Sequence, residues 1–133
     1  MNAGDVIYFV NFEFSNGSKK DKLIIILNNP KSGEPYLVCI TTSQHKVWRS
    51  KQPGCHSENN YYFIESGHSE FKKDTWIVFD RVYEIPVDKI LNSCIRDGSY
   101  SLFSLESSLW KAIKNCITKS KDIEQDYIEM ILR

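Results

Sequence analysis

The chain has no excess of charge in either direction: its 133 residues carry 17 basic and 17 acidic side chains. A broad, sequence-independent nucleic-acid binder usually shows a clear basic surplus. That class is disfavoured, although a small local groove is compatible with neutrality. No apolar run approaches the ~20 residues needed to cross a bilayer, so no membrane partner is expected. The opening, M-N-A-G-D-V, lacks a basic stretch followed by an apolar one, and no signal peptide is expected. The four cysteines, Cys39, Cys55, Cys94 and Cys116, include no C-x-x-C pair. Cys39 lies in an apolar run and Cys116 on a helical apolar stripe, where a reduced cysteine serves as a small hydrophobe. Free thiols and a cytoplasmic location are the expectation.

Cofactor signatures are missing too. Cys55-His56 and His68 offer metal-ligand types, but adjacent residues do not easily ligate one metal, and no paired zinc spacing is present. Gly17-Ser18 has the spacing of neither a P-loop nor a dinucleotide fingerprint, and no motif assembles a Ser-His-Asp triad. No cofactor or metal is expected.

What is present is an ordinary globular composition, 41% apolar and 26% charged, in one domain's length of chain. D-V-I-Y-F-V-N-F (5–12), K-L-I-I-I-L (22–27), Y-L-V-C-I-T-T (36–42), Y-Y-F-I-E (61–65) and T-W-I-V-F-D-R-V-Y-E-I (75–85) have strand composition. The unbroken apolar run 22–27 suits a strand buried on both faces. Turn formers separate the strands, at N-G-S-K-K-D (16–21) and N-N-P-K-S-G-E-P (28–35), and an irregular piece runs from Ser43 to Asn60. Helical turns are expected from Pro86. From Ser104, a plausible N-cap, Leu105, Leu109, Ala112, Ile113, Cys116 and Ile117 recur at helical spacing, and Ile123, Tyr127, Met130 and Ile131 mark a terminal helix. The expected class is mainly β with C-terminal helices (α+β), a small antiparallel barrel or curled sheet over 1–95 and a helical segment over 96–133.

Basic residues gather at Lys19, Lys20 and Lys22, at His45, Lys46, Arg49 and Lys51, and at Lys72 and Lys73. Acidic ones gather near the end, at Glu124, Asp126 and Glu129. The series G-D-V-I-Y-F-V-N-F, N-G-S, K-L-I-I-I-L, C-I-T-T-S-Q and F-K-K-D-T-W-I-V-F-D-R-V-Y-E-I-P, followed by a helix, resembles the MazF/PemK family of toxin ribonucleases in order and over most of the chain. The resemblance implies an SH3-like antiparallel barrel, a homodimer and a cognate antitoxin. It also implies metal-independent cleavage of single-stranded RNA to 2′,3′-cyclic phosphate and 5′-hydroxyl ends. The chain departs from that pattern at two places. Lys22-Leu23 stands where the family has Arg-Pro, so the charge is kept but the planar two-pronged fork is lost. Val78 stands where a basic residue precedes Asp80 by two positions.

Such cleavage needs a base, an acid and donors for the phosphorane charge. The resemblance implies catalytic roles for Lys22, Thr41 and Asp80. His68 is added because imidazole suits acid–base work near neutral pH. Lys20, Thr42, Ser43, His45, Lys46, Trp48 and Arg49 are the candidate RNA-binding set, with Trp48 as a stacking ring beside positive charge. Each has a plainer reading. Threonines at a strand end are ordinary strand and turn chemistry, loop histidines are usually solvated, and Asp80 suits a structural ion pair. An inert barrel that binds a protein or nucleic acid is the alternative, favoured by Lys22 and Val78. The ribonuclease reading predicts that Lys22→Ala and Thr41→Ala each abolish RNA cleavage with the fold intact. Full activity in both would end it.

Overall fold

K-L-I-I-I-L is the middle of the molecule, and its unbroken hydrophobicity has the expected cause. In the computed structural model, which describes all residues from Met1 to Arg133, it lies in strand β2 (Lys19–Ile26), with β1 (Asp5–Glu13) on one side and β3 (Tyr36–Thr42) on the other. Successive strand residues point to opposite faces, so both faces of β2 must be covered. Ile25 and Leu27 join Val6, Leu37, Cys39, Ile77 and Phe79 on one side. Ile24 and Ile26 join Ile7, Phe9, Tyr36 and Val38 on the other. Each such side chain, fully buried, is worth about 1.5–3 kcal/mol.

Four more strands complete one antiparallel sheet: β4 (Gly54–His56), β5 (Tyr61–Ile64), β6 (Thr75–Ile85) and β7 (Tyr100–Ser104). Their order is β4-β5-β6-β3-β2-β1-β7. The sheet is not closed, and β4 and β7 are its edges. The class is α+β. Helices α2 (Ser107–Thr118) and α3 (Gln125–Leu132) cover one face through Ile113, Cys116, Ile117, Ile128 and Ile131. Short α1 (Val87–Asn92), starting just after Pro86 and continued by a π-helical stretch at Ser93–Asp97, caps the other through Ile90. None of the helices is long and apolar enough to cross a membrane.

β6 is a single long strand whose pairing shifts along its length. Ile77 and Trp76 face Thr41 and Thr42, whereas Tyr83 faces Val38. Between them the register with β3 slips, and Asp80 and Arg81 are both exposed there. Gly4, at φ +92°, precedes β1 because the Trp110 ring lies 3.1 Å from where a β-carbon would sit.

Three expectations are corrected. Residues 96–133 are not wholly helical, because 100–104 pairs with β1 as an edge strand. Ser104 does not cap a helix: it ends β7 and its hydroxyl donates to Asp5 at 2.6 Å, while α2 begins three residues later after Glu106. Cys55 and Cys116 are not free thiols but form a disulfide that ties β4 to α2; only Cys39 and Cys94 are free. Burial pushes the Cys39 thiol up to about 12, leaving it an inert hydrophobe.

The disulfide closes a span of 61 residues, for which the loop-closure model gives stabilisation of about 4 kcal/mol. Cys55→Ser, or reduction of the wild type by a dithiol, is therefore expected to lower urea-melt stability by roughly 2–4 kcal/mol. Identical melts with and without reductant would show that the bond does not support the fold.

Candidate nucleic-acid interface

The antiparallel register of β2 and β3 sets Ile24 opposite Ile40. Extended by two further pairs toward the start of β2 and the end of β3, it places Lys22 and Thr42 at the same level. A cleft of about 630 Å³ opens there, lined by Lys20, Lys22, Thr41, Thr42 and Ser43. These are five of the residues singled out in the sequence. Across from them the segment joining β5 and β6 contributes Glu70, Lys72 and Lys73. Phe71 of that segment meets Phe103 of β7 edge-on at 5.0 Å, which holds the far wall against the sheet.

Lys22 is the electrostatic centre of this end of the sheet. Its ammonium donates to the Thr41 carbonyl at 3.4 Å and has no carboxylate within 4 Å. Burial, then the positive charges of Lys20 and Arg49, pull its pKa below the ordinary 10.5. Neighbouring Asp21 does not neutralise it as an ion-pair partner. One Asp21 oxygen accepts the Tyr8 hydroxyl at 2.9 Å and the other accepts the Asn11 N–H at 2.9 Å. Those hydrogen bonds hold the Asp21 carboxyl below its usual range. A half-buried cation crowded by two others is an environment that gains from an anion.

The hydroxyl run divides between structure and surface. Thr41 is buried, and its hydroxyl donates to the Leu23 carbonyl at 2.9 Å. In this structure its proton is therefore committed to the backbone. Thr42 is the better donor: its oxygen accepts the Gln44 N–H at 3.1 Å, which leaves the O–H proton free.

Beyond Ser43 the loop carries the remaining RNA-binding candidates away from the cleft and lays them over the β5–β6 surface. His45 stacks on Trp76 with ring centroids 5.3 Å apart, and its Nε2 sits 2.8 Å from the Arg49 carbonyl. The Trp76 indole donates to the Ser50 carbonyl at 3.0 Å, and the Ser50 N–H donates to the Tyr61 hydroxyl at 2.8 Å. His45 is thus a fastener of the loop. Trp48 does not pack down over the sheet; it is 63% exposed, with the Arg49 guanidinium 4.4 Å from its ring centre. Lys46 is exposed. The Arg49 Nε is buried without a hydrogen-bond partner, and its charge is felt at Lys22.

Two catalytic candidates lie elsewhere. His68 is exposed and sits 3.7 Å from Glu65, outside the cleft. Asp80 is exposed on β6, outside the cleft, and the charge it acts on is Arg49. Conversely, Lys72 and Lys73 stand out in the sequence only as a basic pair; nothing local shows that the chain between β5 and β6 folds back to face β2. No protein-family model matches the chain, and no curated protein matches it.

Lys22→Met is expected to leave stability unchanged or slightly higher, within about 0.5 kcal/mol, because it removes a partly desolvated charge. A cation whose folded pKa is lowered costs stability in full below that pKa. The cost fades as pH rises through the lowered value toward 10.5. Any advantage of Lys22→Met over wild type should accordingly shrink in that alkaline window. Paired urea melts from neutral to alkaline pH check both the sign and the trend.

Proposed function

We propose that this protein is a MazF/PemK-like toxin endoribonuclease, built on a half-open form of the family's small barrel, that cleaves single-stranded RNA without a metal ion. The observation that carries this reading is the unpaired Lys22 ammonium, crowded by Lys20 and Arg49 at the mouth of a cleft faced by Lys72 and Lys73. A phosphodiester is the anion that suits it. Several cations spaced along a groove hold a backbone better than one compact ion, and free Thr42 and Ser43 hydroxyls flank the position.

In the reaction proposed, the 2′-oxygen bonds to phosphorus and the bond from phosphorus to the 5′-oxygen breaks. Glu70 is the carboxylate in the cleft not engaged as Asp21 is, and takes the 2′-hydroxyl proton. Lys22, with its lowered pKa, neutralises the phosphorane and returns a proton to the departing 5′-oxygen. An antitoxin and a second copy of the chain are the partners this reading carries with it, and the cytoplasm is its expected setting. The Cys55–Cys116 bond, of a kind rare in that compartment, is the feature most at odds with the location.

A second reading rests on a specific observation. His68 and Asp80 lie outside the cleft and the Thr41 proton is committed, which is what a barrel that binds RNA without cutting it would look like. A cleavage assay on mixed-sequence single-stranded RNA, with chelator present and product ends mapped, separates the two. Wild type is expected to give cyclic-phosphate ends, with a loss of about a hundredfold or more in Lys22→Met, on the scale of removing one charge-stabilising donor. Tight binding with intact RNA would favour the inert module, and neither binding nor cleavage would overturn both.

A further inference from the structure

One pair of aromatic rings beside the cleft has no part in the core. Tyr8 of β1 and Tyr100 of β7 are directly opposite in register and stack with centroids 5.3 Å apart and planes 22° from parallel. Tyr8 lines the cleft, and Tyr100 is 50% exposed on the last strand of the sheet. The stack occupies one face of the Tyr100 ring and no further strand lies beyond β7. Tyr8 is held in place at its far end, since its hydroxyl donates to Asp21, which is itself fixed by the Asn11 N–H. Tyr8 and Lys22 both line the cleft, and strand pairing runs from Leu23 to Tyr8 and then to Tyr100, a step of about 10 Å across two strand spacings.

Resting on the RNA-binding reading, we propose that the Tyr8–Tyr100 pair is a stacking platform for an unpaired nucleobase whose neighbouring phosphate is held at Lys22. A rigid, half-exposed ring next to a line of lysines is the arrangement by which proteins hold single strands, because every base has a face to stack. Trp48, with Arg49 at 4.4 Å, is on the loop outside the cleft and is not part of this platform. The platform takes bases by their faces, so it favours single-stranded over duplex RNA without reading a particular letter.

The test uses two labelled RNA oligomers of equal length, one of mixed sequence and one abasic, titrated with wild type, Tyr100→Leu, Tyr100→Phe and Lys22→Met. Tyr100→Leu is expected to weaken binding of the base-bearing oligomer at least about fivefold while leaving the abasic oligomer unchanged. Tyr100→Phe, which keeps the ring, should bind as wild type. Lys22→Met should weaken both oligomers alike. Equal affinity of Tyr100→Leu for the base-bearing oligomer, or an equal loss on both, overturns the platform while the Lys22 site stands. Failure of wild type to bind either oligomer overturns the RNA reading itself.

Discussion

The pairing of β2 with β3 is the constraint on which the candidate site depends. Ile24 must face Ile40 for each strand to place its alternate isoleucines and valines under cover on the correct side. A slip of one residue would turn every buried side chain of β2 to the wrong face. The same register leaves the polar ends of both strands, Lys20–Lys22 and Thr42–Ser43, side by side where the cover runs out. The core thereby gathers cations and hydroxyls that are about twenty residues apart in the chain, and no separate device is needed to hold them. Lys22 illustrates the consequence: it is half-buried because it continues a core strand, and unpaired because the carboxylate beside it is held by Tyr8 and Asn11.

Around that centre, two less regular segments are fastened by different means. The loop after Ser43 is pinned by rings, with His45 on Trp76 and the Ser50 backbone between Trp76 and Tyr61. It then enters β4, a strand of three residues that the Cys55–Cys116 bond anchors to α2. The segment before β6 is held instead by Phe71 against Phe103. Behind them, Asn60 in a left-handed conformation receives the Ser120 hydroxyl at 2.5 Å and donates to Asp122 at 2.7 Å, joining the sheet to the link between α2 and α3. Exposed polar chain is thus positioned by a few buried anchors, which is how a small domain holds a surface site with limited core.

Composition and periodicity made most of the scaffold legible. Runs of β-branched and aromatic residues announced β1, β2, β3, β5 and β6, and the three- and four-residue spacing of Ile113, Cys116 and Ile117 announced α2. β4 and β7 escaped because neither G-C-H nor Y-S-L-F-S has a pattern strong enough to stand alone; they are strands because β5 and β1 offer them an unpaired edge. Ser104 failed as a cap for the same reason, since its pairing with Asp5 outweighed a local preference. Cys116 satisfied the description of a buried hydrophobe in every local respect. Only its meeting with a cysteine 61 residues away makes it half of a disulfide.

The site divides along the same line. Lys20, Lys22, Thr41, Thr42 and Ser43 stood out locally as a basic cluster and as a hydroxyl run where an apolar strand turns polar, while a functional role for Lys22 and Thr41 rested on the family resemblance. Their convergence follows from hairpin pairing, which is nearly local. The role of each was not recognisable. Whether the Thr41 hydroxyl faces a ligand or a carbonyl, whether Asp80 and His68 reach the cleft, and which distant lysines face Lys22 are matters of strand register and loop return. Hydrogen bonds and charges act over a few ångströms, and only tertiary structure sets distances that short between residues far apart in the chain.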